Sequence, residues 1–316
     1  MKIKSISRDF FSTKSLIGIS ISFICLYYVY LNFNFNSFIG HIITLDFSLL
    51  FLSLFTIFLS LIVRAIRWKM IFNSNDILIY DLYRSEVLGF WGNSLFPLKL
   101  GELMKIHYAK ILTQKKYSTV LGTIIIERLA DFIIIAPFLI LLYIYFPGDF
   151  FIGKIESLII LIILFSSLTL LLKYVFVSLK NKIKNIFKGF KIFEISKNKN
   201  SILFSTIILW VLIFLDVYFI QASMIDLDLT LFECFCIMLV GTIVYIIPSS
   251  PGTFGTFHLA IQEFMIVFLD KSESISIAFA FILHAHSYIF FIIVGTYYFS
   301  KDSKNILSLK VSHEVY

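Results

Sequence analysis

The chain has 316 residues, of which 59% are hydrophobic and only 15% are charged, and its formal net charge at pH 7 is +7. Soluble globular domains carry roughly 25% charged residues, so this composition excludes a soluble protein and predicts an all-α membrane protein. The lysines concentrate at the ends of apolar segments and in linkers, which favours membrane topology over nucleic-acid binding.

About seven transmembrane helices are predicted, together with one re-entrant hairpin and one helix pair that is broken by Pro and Gly. The apolar runs, in chain order, cover 16–35, 47–63, 120–146, 155–177, 202–221, 232–269 and 275–299. Most of these runs are long enough to cross a hydrocarbon core, which needs about 20 apolar residues. The whole chain, 1–316, is predicted to be a single polytopic domain.

The lysine distribution predicts the orientation of the chain. The linker 178–200 is rich in lysine and has a single acid, Glu194. The positive-inside rule places this linker in the cytoplasm, together with the N-terminal segment 1–14 and the tail 300–316. The prediction is a multi-pass protein of the plasma membrane with both termini cytoplasmic. The same lysines would also suit recognition of anionic lipid.

Two apolar segments are interrupted and do not read as ordinary spans. The segment 82–105 has an apolar core too short to cross, so it is predicted to enter from the cytoplasm and return. The segment 248–256 breaks a second helix pair, which is predicted to enter from the outside. Backbone groups freed at membrane depth need protein or water as partners, so both breaks should line an enclosed, wet cavity. The residues predicted to form the breaks and a gate are Pro97, Gly101, Pro248, Pro251, Gly252 and Gly255.

One break in each half, with opposite entry, is typical of an inverted-repeat transporter with its binding site between the halves. A pair of incidental kinks would give the same sequence pattern.

Charged residues also interrupt the third long run. Glu127, Arg128 and Asp131 lie within otherwise apolar sequence. A charge at the bilayer centre costs at least about 2.5–3.5 kcal/mol, so these residues need partners or a cavity. They are interpreted either as a structural ion pair or as the wall of a substrate path. The other polar candidates for such a path are Arg64, Arg67, Asn93, Lys99, Glu102, Asp216 and His284.

The three cysteines, Cys25, Cys234 and Cys236, lie in apolar runs and form no Cys-x-x-Cys or Cys/His cluster. The sequence therefore predicts no metal site, no disulfide framework and no cofactor. A P-loop is also missing, so active transport would need a gradient or a partner.

Four motifs in order carry a resemblance to a known family. They are Arg-Ala-Ile-Arg-Trp at 64–68, Gly-Asn-Ser-Leu-Phe-Pro-Leu-Lys-Leu-Gly-Glu at 92–102, Glu-Arg-Leu-Ala-Asp at 127–131 and Pro-Ser-Ser-Pro-Gly-Thr-Phe-Gly-Thr at 248–256. The chain resembles the transmembrane, flippase-like domain of lysylphosphatidylglycerol synthases from about residue 10 to 300. The sequence departs from that family at Lys99 and at His284, where relatives often carry arginine.

The resemblance implies a protein that translocates or binds a phosphate-bearing lipid, without catalytic residues. Family members are thought to move aminoacylated phosphatidylglycerol between leaflets, and a separate soluble domain makes that lipid. Since the sequence given stops at Tyr316, a free-standing member without the aminoacyl-transferase domain is expected. The implied partners are an anionic or aminoacylated phospholipid, or polyprenyl phosphate, and no nucleic acid.

Two alternatives remain open from the sequence. One is an enzyme of polyprenyl-phosphate-linked glycosyl transfer, and the other is a membrane subunit that assists a lipid-modifying enzyme. A membrane-enzyme partner or a homo-oligomer is compatible with either reading.

Overall fold

The computed structural model describes residues 13–31, 33–97, 99–145, 198–246 and 250–312, with the main chain only at 13–19, 21, 246 and 303–312. The predicted fourth run, 155–177, most of the basic linker 178–200 and Pro248 lie outside these ranges. Every regular element in the described ranges is helical, which confirms the predicted all-α class.

The described residues up to 145 form six α-helices that follow one another in sequence. They are α1 (Thr13–Tyr30), α2 (Phe35–Ile43), α3 (Phe47–Phe72), α4 (Ile79–Leu95), α5 (Leu100–Thr113) and α6 (Tyr117–Tyr145).

The described residues from 198 onward form four α-helices and one short 3₁₀-helix. They are α7 (Lys199–Ser223), α8 (Leu231–Ile246), the 3₁₀-helix (Pro251–Thr253), α9 (Thr256–Leu269) and α10 (Glu273–Ser312).

Side-chain caps define where several of these helices begin. Asp46 accepts hydrogen bonds from the backbone N–H groups of Ser48 and Leu49 at the start of α3. Before α8, Thr230 and Glu233 form a reciprocal capping box: the Thr230 hydroxyl accepts from the Glu233 N–H, and the Glu233 carboxylate accepts from the Thr230 N–H. Such caps satisfy amide groups that the first helical turn leaves without a partner.

Four helical segments in the described part are long and apolar enough to cross a membrane by length and composition. They are Phe47–Phe72, Lys199–Ser223, Pro251–Leu269 and Glu273–Asp302. Large apolar side chains such as Phe51, Ile133 and Tyr297 are exposed on the outer surface of the bundle. A surface of this kind suits lipid and not water, so the protein is a multi-pass membrane protein.

The segment 82–105 folds as a helical hairpin of α4 and α5. The two helices pack closely because glycines line their contact: a Cβ at Gly101 would overlap the Gly89 carbonyl oxygen and the Asn93 backbone nitrogen. Pro97 lies in the short connection between the helices. The side from which the hairpin enters the membrane stays a prediction.

The second break separates α8 from α9, and it is held against α1 and α10. Gly252 and Gly255 have φ angles of 63° and 83°, which L side chains rarely adopt. The Ser250 N–H donates to the Ser22 hydroxyl of α1 at 3.2 Å. The described part of the break, 250–255, therefore has fixed partners in the fold.

The two breaks meet inside the protein. The Tyr288 ring of α10 packs beside Gly252 and Phe254 at the second break. The Tyr288 hydroxyl donates to the Ser94 carbonyl, near the end of α4, at 3.3 Å. The structure thus places the ends of both interrupted segments against one side chain. Whether they line a wet cavity stays a prediction.

Candidate functional site

A chain of alternating charges crosses the interior of the helix bundle. It begins at Glu86 on α4 and ends at Glu102 on α5, and each member contacts the next. In order of contact the members are Glu86, Lys105, Glu127, Arg67, Asp131, Arg128 and Glu102. Four helices, α3 to α6, supply these seven residues, so the chain of charges ties the first half of the protein together.

The buried end of the charge chain is built around Lys105. Its Nζ lies 2.7 Å from Glu86 Oε1 and 2.9 Å from Glu127 Oε2, and all three side chains are buried. The ammonium group also lies over the Trp68 ring, 4.3 Å from its centroid. A buried ammonium needs such compensation because taking a charge out of water costs several kcal/mol.

Arg67 occupies the middle of the charge chain and is fully buried on α3. Its two terminal nitrogens bind both Asp131 oxygens, with Nη1 2.5 Å from Oδ1 and Nη2 3.4 Å from Oδ2. It also donates to Glu127 at 3.5 Å and to the Thr206 hydroxyl of α7 at 3.1 Å. This forked geometry is one that lysine cannot reproduce.

The other end of the charge chain is open to the surface. The Arg128 side chain is 51% exposed and Glu102 is 33% exposed, although Arg128 Nη2 lies 2.8 Å from Glu102 Oε1. Arg128 Nη1 is 3.8 Å from Asp131 Oδ2, at the edge of ion-pair distance. The charge chain therefore runs from a buried end at Glu86 to an exposed cation at Arg128.

Two further cations lie near the charge chain and form no ion pair in the described ranges. Arg64 lies one helical turn before Arg67, over the Phe90 ring at 5.4 Å from its centroid. Lys99 begins α5 in a left-handed conformation, with φ 55° and ψ 37°. Both lie within electrostatic range of Arg128. With these two, five basic residues face four acidic ones, so the cluster has a net charge of +1.

The second break is stabilised by two histidines. His284 Nε2 donates to the Gly252 carbonyl at 2.7 Å, and the Gly255 N–H donates to His258 Nδ1 at 3.3 Å. The two imidazole rings lie edge to face with centroids 4.8 Å apart. His284 thus satisfies backbone that the helix break leaves free.

A family model described as lysylphosphatidylglycerol synthase TM region matches residues 15–295 of the chain. The chain belongs to this family. The match confirms the resemblance that the four sequence motifs indicate, and it makes the protein an integral membrane protein of a family associated with lipid. No curated protein and no solved structure matches the chain.

The structure brings most of the predicted site residues together. The residues in or beside the charge chain are Arg64, Arg67, Asn93, Lys99, Glu102, Glu127, Arg128 and Asp131. Asp216 and His284 lie elsewhere: Asp216 pairs with His286, and His284 binds the second break. Their role in a substrate path stays a prediction.

Sequence reasoning missed Glu86 and Lys105, which form the buried end of the charge chain. Both flank the apolar core 87–98, so they read as the polar ends of a short segment. One signal was available: Glu86, Gly89 and Asn93 are spaced by three and four residues, which places them on one helical face. A charge on a glycine-lined face points into a close helix contact and not into water.

An apolar groove of about 450 Å³ lies between α3 and α7, beside the charge chain. Its lining includes Ile66 and Met70 of α3 and Phe204 of α7. Ser205 also lines it, next to the Thr206 hydroxyl that binds Arg67. A groove of this size and character suits an acyl chain better than a polar ligand.

Proposed function

We propose that this protein binds a phosphate-bearing lipid at the exposed end of the charge chain and translocates it between the leaflets of the plasma membrane. The observation that carries the proposal is the accessible Arg128, with two cations near it, Arg64 and Lys99, that form no ion pair within the described residues. Ion pairs that only hold helices together do not require additional cations at the exposed end of the cluster.

The chemistry of a phosphate group fits this end of the charge chain. Phosphate oxygens would replace Glu102 as the partner of Arg128, since a guanidinium binds carboxylate and phosphate with the same bidentate geometry. Lys99 and Arg64 would add positive charge around the remaining oxygens. If the head group carries an amine, as an aminoacylated phosphatidylglycerol does, the released Glu102 supplies a carboxylate for it.

The buried half of the charge chain serves as the anchor of this site. Arg67 and Lys105 have carboxylates on both sides, so neither is available for a ligand. Their function would be to hold α3, α4, α5 and α6 in register, so that Arg128 stays in place. A lipid head group that leaves water needs polar partners in fixed positions, and a held Arg128 provides one. The acyl chains of the lipid would remain in hydrocarbon or in the groove along α3.

The two breaks would supply the movable part of the path. Tyr288 contacts both breaks, through a hydrogen bond to the Ser94 carbonyl and a ring contact with Phe254, so a movement of α10 would act on both. The proposed topology keeps both termini and the linker 178–200 in the cytoplasm, as the lysine distribution predicts. Arg67 lies close to the end of α3, so the charge chain would lie on the cytoplasmic side of the bilayer.

Binding is tested by the melting temperature of the purified protein in detergent, with phosphatidylglycerol or with diacylglycerol of the same acyl chains. We expect phosphatidylglycerol, but not diacylglycerol, to raise the melting temperature of the wild type, and this rise to become smaller as salt is added. Arg128→Gln should weaken binding about 10- to 100-fold, since a charge-assisted hydrogen bond contributes about 1.5–3 kcal/mol.

The matched control is Arg84→Gln. Arg84 also forms two ion pairs, with Asp81 and Asp302, but it lies outside the charge chain. This variant should keep the response to phosphatidylglycerol. Equal stabilisation of the wild type by both lipids, or an unchanged response in folded Arg128→Gln, would contradict the proposed site.

A further inference from the structure

A second buried ion pair lies apart from the charge chain, between α7 and α10. His286 Nε2 lies 3.0 Å from Asp216 Oδ1, with the two side chains only 4% and 16% exposed. The Ser53 hydroxyl of α3 donates to the same carboxylate oxygen at 2.5 Å. None of the functions argued above uses this pair.

The hydrogen bonds of His286 require an extra proton in the pair. His286 Nδ1 lies 3.0 Å from the Ile282 carbonyl oxygen, which can only accept, so Nδ1 carries a hydrogen. An ionised Asp216 can also only accept, so Nε2 must carry a second hydrogen. The alternative arrangement has a neutral imidazole and a protonated carboxyl group. Either way, one proton lies between Nε2 and Oδ1.

Because the pair is buried in the membrane protein, the loss of this proton is energetically costly. With the proton the pair is neutral overall, and without it the pair has a charge of −1. An uncompensated charge at such depth is costly. The other titratable groups around the pair are Tyr245 on α8, His284 on α10 and, beyond His284, His258 on α9. Across the described parts of the chain, no lysine or arginine forms an ion pair with Asp216.

The pair and the charge chain both contact α3 and α7, but at different depths. On α7, Thr206 binds Arg67 and Asp216 follows ten residues later, so the two sites are about 15 Å apart along the helix axis. On α3, Ser53 contacts the pair and Arg67 belongs to the charge chain. A shift of α3 against α7 would therefore move both sites.

From this geometry we infer that Asp216 and His286 form a site that binds one proton, and that its protonation drives lipid movement along the pH gradient of the membrane. The proton enters from water on one side and returns to water on the other. Its loss leaves a carboxylate and a neutral imidazole. The proton-binding site stands independently, whereas the driving of lipid movement rests on the proposed function.

Proton binding is tested without any lipid assay, by nitrogen NMR of the full-length protein labelled at its six histidines. The His286 ring is assigned by the signals lost in His286→Gln. We expect two N–H signals or one shared proton in this ring at low pH, and a single N–H at high pH. Asp216→Asn should abolish this transition. A single N–H at every pH, or two at every pH, would overturn the proton site.

The chain provides a matched control for this experiment. His41 and Asp226 form the same type of pair, with His41 Nδ1 3.5 Å from Asp226 Oδ2, but Asp226 is 62% exposed. Asp226→Asn should leave the His286 titration unchanged. A change in the His286 signals in this variant equal to that in Asp216→Asn would overturn the assignment of the proton to the buried pair.

Coupling is tested by lipid exchange in liposomes with and without an imposed pH gradient. In the wild type, we expect a gradient to accumulate labelled phosphatidylglycerol in one leaflet, and Asp216→Asn to reduce this accumulation to the level without a gradient. If the wild type exchanges lipid equally with and without the pH gradient, the coupling is overturned and the proposed function is left intact. No exchange under any condition would overturn both the proposed function and the coupling.

Discussion

Replacing Lys105 by methionine tests whether the buried end of the charge chain holds the helices together. Lys105 has two carboxylate partners, Glu86 at 2.7 Å and Glu127 at 2.9 Å. Its removal leaves Glu127 with Arg67, but Glu86 loses its ion-pair partner. Breaking one member out of a buried pair costs about 3–5 kcal/mol, so Lys105→Met should be strongly destabilised.

The double variant Lys105→Met, Glu86→Met makes the prediction specific. It removes the stranded carboxylate and leaves the rest of the charge chain intact. Replacing a whole buried pair by apolar residues is often neutral, so the double variant should recover most of the lost stability. The coupling free energy between the two positions should be about 1–3 kcal/mol.

Unfolding can be followed through the buried thiols. Cys234 and Cys236 are buried and Cys25 is partly exposed, so a thiol-reactive dye reports unfolding in a Cys25→Ser background. At about 2–4 °C per kcal/mol, a loss of about 3 kcal/mol lowers Tm by roughly 6–12 °C. Lys110→Met on the same helix is the control, since Lys110 lies over the Tyr117 ring and forms no ion pair within the described ranges. A Lys105→Met protein that melts like the control, or a double variant no more stable than Lys105→Met, would refute the reasoning.

Three other changes have expected outcomes. Gly101→Ala should prevent close packing of the α4–α5 hairpin and sharply reduce the yield of folded protein on size-exclusion chromatography. Gly40→Ala is the control, because nothing lies within 4 Å of the added carbon and the yield should not fall. Equal yields of the two variants would refute the close contact at Gly101. Glu102→Gln removes the ion-pair partner of Arg128 and should tighten phosphatidylglycerol binding up to about fivefold in a lipid titration, because an exposed ion pair contributes up to about 1 kcal/mol. Weaker binding in this variant would contradict the proposed replacement of Glu102 by phosphate. Asp46→Ala removes the cap of α3 and should cost about 1 kcal/mol in the thiol assay; an unchanged Tm would show that this cap contributes little.

The apolar runs were sufficient to predict most of the helices that lie in the described ranges. The run 202–221 corresponds to Lys199–Ser223, and 120–146 corresponds to Tyr117–Tyr145. The second run was expected to end near residue 63, but α3 continues to Phe72. The charges of Arg64 and Arg67 look like the end of a membrane span, and only tertiary contacts show that Arg67 lies inside the bundle.

The candidate site was predictable in part for the same reason. Isolated charges in apolar sequence indicate partners but do not name them, because a partner on another helix leaves no trace in local spacing. Glu127, Arg128 and Asp131 were recognised within a long apolar run, whereas Lys105 stood at the edge of a short one. The pairing of Asp216 with His286 depends on how α7 packs against α10, which no single-sequence pattern encodes.

If the open end of the charge chain carries a phosphate-bearing lipid across the bilayer, the protein must accelerate the exchange of such lipids between leaflets. The most direct measurement is the leaflet exchange of labelled anionic and aminoacylated phospholipids in liposomes that contain the purified protein. The wild type should accelerate exchange over protein-free liposomes, and Arg128→Gln and Glu127→Gln should reduce it. Exchange at the protein-free rate for every lipid tested, with folded wild-type protein, would contradict the claim.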